Sequence, residues 1–291
     1  MATRINRPRS ARDRRRLAAS EFFRVQQRRP TEPQSPQPEP DYIGEAVAAA
    51  FAPGQLGALY VIQPDYQGNT ILWQDEAGTI PATADGDPVG RIDDLSGGGN
   101  HATTPAPGTL RGSVGNWRLE FDGVDDYYDL PLSLAQNSPS LYLAFAGAYR
   151  ELAGADKSMI WFSTGTSSTG TRARLNTRAT TYLQAAGRRL DEDSFDAGVL
   201  AEVIAVDEPF TASALLDYAN ASAWLRKNGI EQTSGSFSTA GTSSDTPSLE
   251  AYLGWQAGEY TTMDARAFAI VTSGTDGIAE IEALLAHLIE A

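Results

Sequence analysis

Carboxylates are the groups in this chain best placed to do chemistry. Glu120, Asp122 and Asp125 stand in an E-x-D-x-x-D spacing. Two carboxylates flanking a sugar can act as nucleophile and acid/base in glycoside hydrolysis. Gly123 interrupts the triplet, however, and Asp-Gly is also a turn signal in which the Asp side chain bonds nearby backbone. The turn reading is preferred, and glycoside hydrolase activity is not expected. Asp122, Asp125 and Asp126, with Asp129 beyond them, are hard oxygen donors of the type calcium takes. They lack the D-x-D-x-D-G order of a helix-loop-helix site, so a solvated acidic turn is preferred there as well. No cofactor is expected, and calcium is the only ligand of that kind the residues leave open.

His101 follows Gly97-Gly98-Gly99-Asn100. It could touch a ligand, but glycines and Asn tolerate positive φ, so the run reads first as a structural turn. No Ser sits in a nucleophile elbow, and no Lys-Ser/Thr follows the glycines as a phosphate loop requires. The tryptophans, Trp73, Trp117, Trp161, Trp224 and Trp255, are the rings a glycan site would use for stacking. Most belong in the core, with Trp73 expected as a buried anchor. Trp117, beside Gly115-Asn116, is the best exposed candidate.

Composition narrows the chemistry further. The chain has 291 residues and no cysteine, which excludes disulfides and thiolate sites. Its two histidines, His101 and His287, exclude multi-His metal centres. No apolar run approaches the ~18 residues of a membrane span, so no insertion is expected. Nor does the N-terminus show the apolar core of a signal peptide.

Charge is distributed unevenly. Residues 1–30 hold ten arginines against Asp13 and Glu21, a net of +8; the chain totals −14, which leaves −22 for the rest. A basic arm on an acidic body is a bipartite design. Arg4, Arg7, Arg9, Arg12, Arg14, Arg15, Arg16, Phe22 and Phe23 are the partner-anchoring candidates of this arm (residues 1–29). Planar guanidinium forks suit an acidic protein surface. Ser10 and Asp13 could cap a helix with Leu17, Ala18, Phe22 and Val25 on one stripe, too small to be stable without a partner. A disordered basic tail is the competing reading. Nucleic acid is a weaker one, because only Phe22 and Phe23 could stack on bases and the acidic body repels a polyanion.

A proline spacer follows at residues 30–42. Its first part, PTEPQSPQPEP, carries five prolines and no aromatic or aliphatic side chain. Such a segment extends as polyproline II at about 3.1 Å per residue. Residues 43–291 then read as one domain. Ile43–Phe51 predicts a short helix, and Ala58–Ile62 a strand. The stretch 89–131 holds the glycine turn and a strand breaking at Phe121-Asp122-Gly123. Short strands at close spacing follow: 141–149, 158–163, 173–176, 181–185, 199–207, 213–218, 221–227, 248–255 and 265–272. Asn228-Gly229 marks a hairpin. Segments 163–171 and 233–246 read as exposed loops. Residues 277–290 alone show helical periodicity, with Ile278, Ile281, Leu284, Leu285 and Leu288 on one face. Many short strands between glycine-rich turns make the chain mainly β, a sandwich or barrel.

The order of Gly57-Ala58-Leu59-Tyr60, Leu72-Trp73-Gln74-Asp75, Gly78-Thr79-Ile80-Pro81, Asp94-Leu95-Ser96-Gly97-Gly98-Gly99-Asn100-His101 and Leu119-Glu120-Phe121-Asp122-Gly123 resembles a known group. These are the concanavalin A-like, or laminin-G-like, jelly-roll domains of tailed-phage and prophage structural proteins. Residues 51–131 carry the likeness most specifically. Trp224-Leu225-Arg226-Lys227-Asn228-Gly229, Leu253-Gly254 and the closing helix extend it more loosely to residue 291. The resemblance implies a two-sheet antiparallel jelly-roll sandwich with a short C-terminal helix, preceded by the extended basic arm. It implies a virion location, in a head or tail fibre. Capsid, neck or tail proteins would be partners through residues 1–40, and a homo-oligomer or a host-surface glycan further ones. Some hydrolases of this fold carry E-x-D-x-x-E on one strand, whereas this chain ends the motif in Asp. Fold alone does not settle function.

Overall fold

Side-chain alternation along Leu141–Tyr149 sets the architecture. Leu141, Leu143, Phe145 and Tyr149 enter one apolar cluster, while Tyr142, Ala144 and Ala146 enter a second. Successive strand residues point to opposite faces, so a strand buried on both lies in the middle of a layered structure. The computed structural model describes residues 40–51, 56–152, 156–165, 170–178, 182–193, 197–272 and 274–290, with no side chains for 197–203. The arm residues Arg4 to Phe23 and the spacer up to residue 39 lie outside the described residues. The body, Asp41–Ala291, is one compact unit.

The first helix, α1, is Tyr42–Ala50. Strands follow as β1 Gly57–Val61, β2 Asp65–Tyr66, β3 Asn69–Thr70, β4 Leu72–Trp73, β5 Pro88–Ile92, β6 Ala102–Ser113 and β7 Asn116–Asp122. Next come β8 Tyr128–Asp129, β9 Leu141–Tyr149, β10 Ser158–Ser163, β11 Thr171–Arg178, β12 Tyr182–Gly187 and β13 Ala197–Val203. The chain continues through β14 Phe210–Asp217, β15 Ser222–Lys227, β16 Ile230–Ser236, β17 Glu250–Leu253, β18 Trp255–Gln256, β19 Glu259–Tyr260 and β20 Thr262–Val271. Helix α2, Ile278–Glu290, closes it.

Pairing runs antiparallel along β13-β12-β11-β10-β17-β8-β6-β7-β20-β9-β14-β15-β16. This path folds back on itself. Strands β11 and β12 lie across from β9 and β14 without pairing to them, and all four send residues into the same core. The result is a mainly β, antiparallel sandwich, as the spacing of strands and turns predicts. Strand β6 carries the chain between layers: Thr103 pairs with Asp129 of β8, and Thr109–Ser113 pair with β7.

The second cluster lies outside the layer containing β9 and β20. There α1 and α2 cover Ala144, Ala146, Ala267, Ala269 and Val271. Small side chains let the helices approach the sheet. Asp41 caps α1 by accepting from the Gly44 N–H at 2.9 Å. Ile281, Leu284 and Leu285 of α2 are fully buried, which stabilises the fold by about 1.5–3 kcal/mol each. Gly277, at φ +75°, precedes α2 where a Cβ would stand 2.3 Å from the Ala50 N. Only glycine fits that approach.

Three expectations are corrected. Segment 233–246 is not wholly an exposed loop: β16 reaches Ser236, and Phe237, Ser243 and Ser244 are buried. The one strand expected between the glycine turn and Phe121 is two, β6 and β7, paired across a turn at Val114-Gly115, and Pro105 and Pro107 lie inside β6. Both prolines sit between the paired positions Thr103 and Gly108, so no ladder hydrogen bond is lost. Trp73 is half-buried rather than a core anchor, and its Nε1 donates to Asp93 Oδ2 at 2.9 Å.

Candidate functional site

The acidic stretch after β7 folds as a turn. The Asp122 carboxylate accepts from the Val124 N–H at 2.7 Å, and Gly123 takes φ +80°. Asp126 is buried and accepts from the Asp122 N–H at 2.7 Å. Burial pushes its carboxyl up to about 7, the Asp122 N–H opposes this, and the charges of Asp122 and Asp125 add to it. Ligand oxygens of Asp122, Asp125 and Asp126 all lie within 4.8 Å of one another. Three oxygens of this type fit a hard cation in kind, but two of the three carboxylates already bond turn backbone. Glu120, two residues before Asp122 on the same face of β7, is engaged in a charge network. It pairs with Arg111, and Arg150 bridges it to Asp264 at 3.4 and 3.5 Å. Arginines therefore hold Glu120, and it stands outside the group of three carboxylates whose oxygens lie within 4.8 Å of one another. A cavity of about 490 Å³ lies over Pro105, Arg111, Glu120, Asp122, Asp125 and Asp126.

His101 belongs to a second turn, organised by Asp94. The Asp94 carboxylate accepts from the N–H groups of Leu59, Ser96 and Asn100 at 2.8–3.0 Å. Asn100 Nδ2 donates to Gly57 O at 2.7 Å, tying the glycine loop to β1. His101 Nδ1 lies 2.9 Å from Asp93 Oδ1 and 3.2 Å from the Asp94 N. Its ring is committed to closing the turn. Trp117 is half-buried against the core and borders a shallow cavity of about 290 Å³ with Pro64, Thr83 and Val114. It has no second ring beside it among the described residues.

The densest aromatic grouping lies elsewhere, on the outer face of β8, β17 and β10. Ala251 and Leu253 of β17 face the core, so Glu250 and Tyr252 face outward. Tyr252 pairs with Trp161 of β10 on one side and Asp129 of β8 on the other, and paired residues share a face. Gly254, at φ +78°, breaks the alternation, since a Cβ there would meet the Phe121 ring at 2.5 Å. Tyr252 and Trp255, three residues apart, thereby come to one side with ring centroids 4.6 Å apart. Ala257 and Gly258 both have positive φ and turn the β18–β19 hairpin, which sets Trp255 opposite Tyr260. Lys157 Nζ pins the hairpin by donating to Tyr260 O at 2.7 Å.

Four half-exposed rings close a box. Tyr127 meets Tyr252 at 5.5 Å and 80°, and Tyr252 meets Trp255 at 77°. Trp255 meets Tyr260 at 6.5 Å, and Tyr260 meets Tyr127 at 6.4 Å. The cavity between them, about 130 Å³, is lined by these four residues alone. Trp161, fully buried, stacks behind Tyr252 at 6.1 Å and 22°. Acids surround the box. Burial holds the Glu250 carboxyl above its usual range. Desolvation, then Glu76, does the same for Asp129. The Tyr252 hydroxyl is pushed up to about 12 by burial, with Glu250 and Asp129 adding to it. Beyond Trp161 the face continues to Arg174, whose Nη2 donates to Gln184 Oε1 at 2.9 Å. Such a surface can stack an apolar ligand face on rings while carboxylates meet donors or positive charge.

The sequence reading had Trp255 among its five ring candidates but none of the three tyrosines. The spacing Tyr252-x-x-Trp255-x-x-x-x-Tyr260 around Ala257-Gly258 is the local signal that could have marked them.

No family model matches the chain, and no curated protein matches it. Solved structures do. Trypanosoma rangeli sialidase superposes with a TM-score of 0.52 at 10% identity, over 80% of this chain and 32% of the sialidase. The same enzyme in complex with sialic acid gives 0.51 at 11%, over 80% and 33%. A structure from work on botulinum neurotoxin type C, whose cell entry is described as dependent upon two ganglioside molecules, gives 0.51 at 11%, over 80% and 51%. The chain thus spans about a third of the sialidases and half of the neurotoxin chain. At such identities the likeness is one of fold alone, a β-sandwich.

Proposed function

We propose that this chain is a non-enzymatic glycan-binding protein carried on a phage particle, with its sandwich displayed outward and its arginine arm docked on an acidic capsid, neck or tail protein. One observation carries the binding half: a cavity walled by Tyr127, Tyr252, Trp255 and Tyr260 stands half-exposed on a sheet face that no helix covers among the described residues. An apolar part of the glycan packs on such rings while its polar groups meet Asp129, Glu250 and Glu76. The likeness of fold to the sialidase in complex with sialic acid supports this reading. Support for the particle half comes from the resemblance over residues 51–131 and from an arm of net +8 joined to a body of −20 by a proline spacer.

A second reading is favoured by one feature. Glu250 and Asp129 flank Tyr252 with raised carboxyl pKa values, as an acid/base pair of a glycan hydrolase would. Binding and turnover separate the two. On a panel of bacterial surface glycans, the full chain is expected to bind without releasing sugar, and Trp255→Ala to lose the binding while keeping its melting temperature. Release of reducing ends, abolished by Glu250→Gln, would replace the binding protein with a hydrolase. Deleting residues 1–40 is expected to keep glycan binding and to remove the protein from assembled particles. Normal incorporation would end the anchoring idea.

A further inference from the structure

We infer that the aromatic box takes a quaternary ammonium group, a choline-type substituent of the glycan, rather than the sugar ring itself. This rests on the glycan-binding reading and names the part of the ligand that enters.

The geometry distinguishes the two. A sugar ring stacks on one or two coplanar platforms. Here the walls meet steeply, at 80° between Tyr127 and Tyr252 and 77° between Tyr252 and Trp255. Four rings in sequence border a small, half-open cavity of about 130 Å³. Walls at these angles offer a sugar ring no coplanar pair of platforms, whereas a compact trimethylammonium head presents methyls to every wall. Ring faces are the negative ends of the aromatic quadrupole, and Trp and Tyr are the strongest such partners for a cation.

The charge around the box points the same way. Asp129, Glu250 and Glu76 stand beside it, and among the described residues none of the three has a salt-bridge partner. Glu250 Oε2 is buried with no hydrogen-bond partner. A buried carboxylate oxygen left unpaired is costly, and a cation lodged next to it would offset that cost. The nearest base, Lys157, is already spent on Glu259 and the Tyr260 carbonyl. Body charge of −20 favours a positively charged ligand overall.

The test uses the full chain and two small probes, choline chloride and its neutral isostere 3,3-dimethyl-1-butanol, followed by tryptophan fluorescence and by proton shifts of the tyrosine rings. Choline is expected to bind at least about tenfold more tightly than the isostere, in line with a desolvated cation–π site. Trp255→Ala and Tyr260→Ala should each abolish the shifts. Glu250→Gln should weaken choline several-fold and leave the isostere unchanged. Circular dichroism verifies that each variant folds. If one variant does not fold, the choline-to-isostere ratio on the wild-type chain decides alone. Equal binding of the two probes, or no binding of either, overturns the inference. So does binding confined to a trimethyl-lysine peptide or to phosphatidylcholine vesicles when a phosphocholine-bearing glycan is ignored. Neutral glycans are run in parallel. If they bind through Trp255 while choline does not, the glycan reading stands and the ammonium inference falls; if nothing binds, both fall.

Discussion

On the outer face of β9 and β20 the side chains are Ala144, Ala146, Ala267, Ala269 and Val271, and two helices lie on them. On the outer face of β10, β17 and β8 they are Trp161, Tyr252 and Asp129, and the rings of Tyr127, Trp255 and Tyr260 stand half-exposed beside them. Both faces belong to one continuous ladder. Small aliphatic residues let helices seat closely and leave no polar group behind. Large rings with carboxylates among them cannot be sealed that way, because burying the acids without partners would cost more than the rings return. The first face is sealed, and the second stays partly open to solvent.

The comparison breaks if changes on either face have the wrong consequence. The largest effect is expected for Trp161→Ala, which removes the fully buried ring behind Tyr252 and its 2.9 Å bond to Thr171 Oγ1. Loss of about 3–5 kcal/mol is typical of such a truncation, measured by urea denaturation. Glycan affinity of the folded fraction should fall as well, because Tyr252 loses its support. Next comes Leu285→Ala on the sealed face, fully buried in α2. It should cost about 2–4 kcal/mol and leave the affinity of the folded protein unchanged. A drop in affinity there would show that the two faces are coupled.

The smallest effect concerns Asp126, in the turn between β7 and β8. Its folded carboxyl titrates at about 7, above the unfolded 3.8. The folded state therefore holds the proton more tightly, and the stability this confers is present at low pH and lost as pH rises between these values. Asp126→Asn should flatten that slope, with a difference from wild type on the order of 1 kcal/mol between pH 5 and 8, followed by thermal melting. If millimolar calcium restores wild-type stability at pH 8 and not that of Asp126→Asn, the three carboxylates hold a metal and the turn reading must give way.

Local signals were legible where one backbone segment decides the outcome. Leu141–Tyr149 and Ser158–Ser163 form strands at the bounds their composition suggests. Asn228 and Gly229 take positive φ as a two-residue hairpin demands. Asp122-Gly123 is a turn, and Ile278–Glu290 is a helix with its predicted face buried. The division of the strand before Phe121 into β6 and β7 was not legible, because Val114-Gly115 is a weak turn signal and two prolines are admitted to β6 only by the gap in its pairing. Nor was β16, whose Ser, Thr and Gly read as loop until β15 pairs with it. Among site residues, His101 and Asp122 drew attention as unusual residue types in unusual spacing, and both proved to satisfy turn backbone.

What the sequence determined by itself is the set of strands, the turns that join them and the terminal helix, because alternation, glycine placement and helical periodicity act over a few residues. It also determined the separation of a basic arm from an acidic body, which is a matter of composition. Only the tertiary structure decided which sheet face the helices would seal. Alternation assigns two faces to every strand without saying what will cover them. It decided the aromatic box for the same reason. Tyr127 and Tyr252 are far apart in the chain, and their rings meet only because the short β8–β17 pairing and the kink at Gly254 bring them to one side.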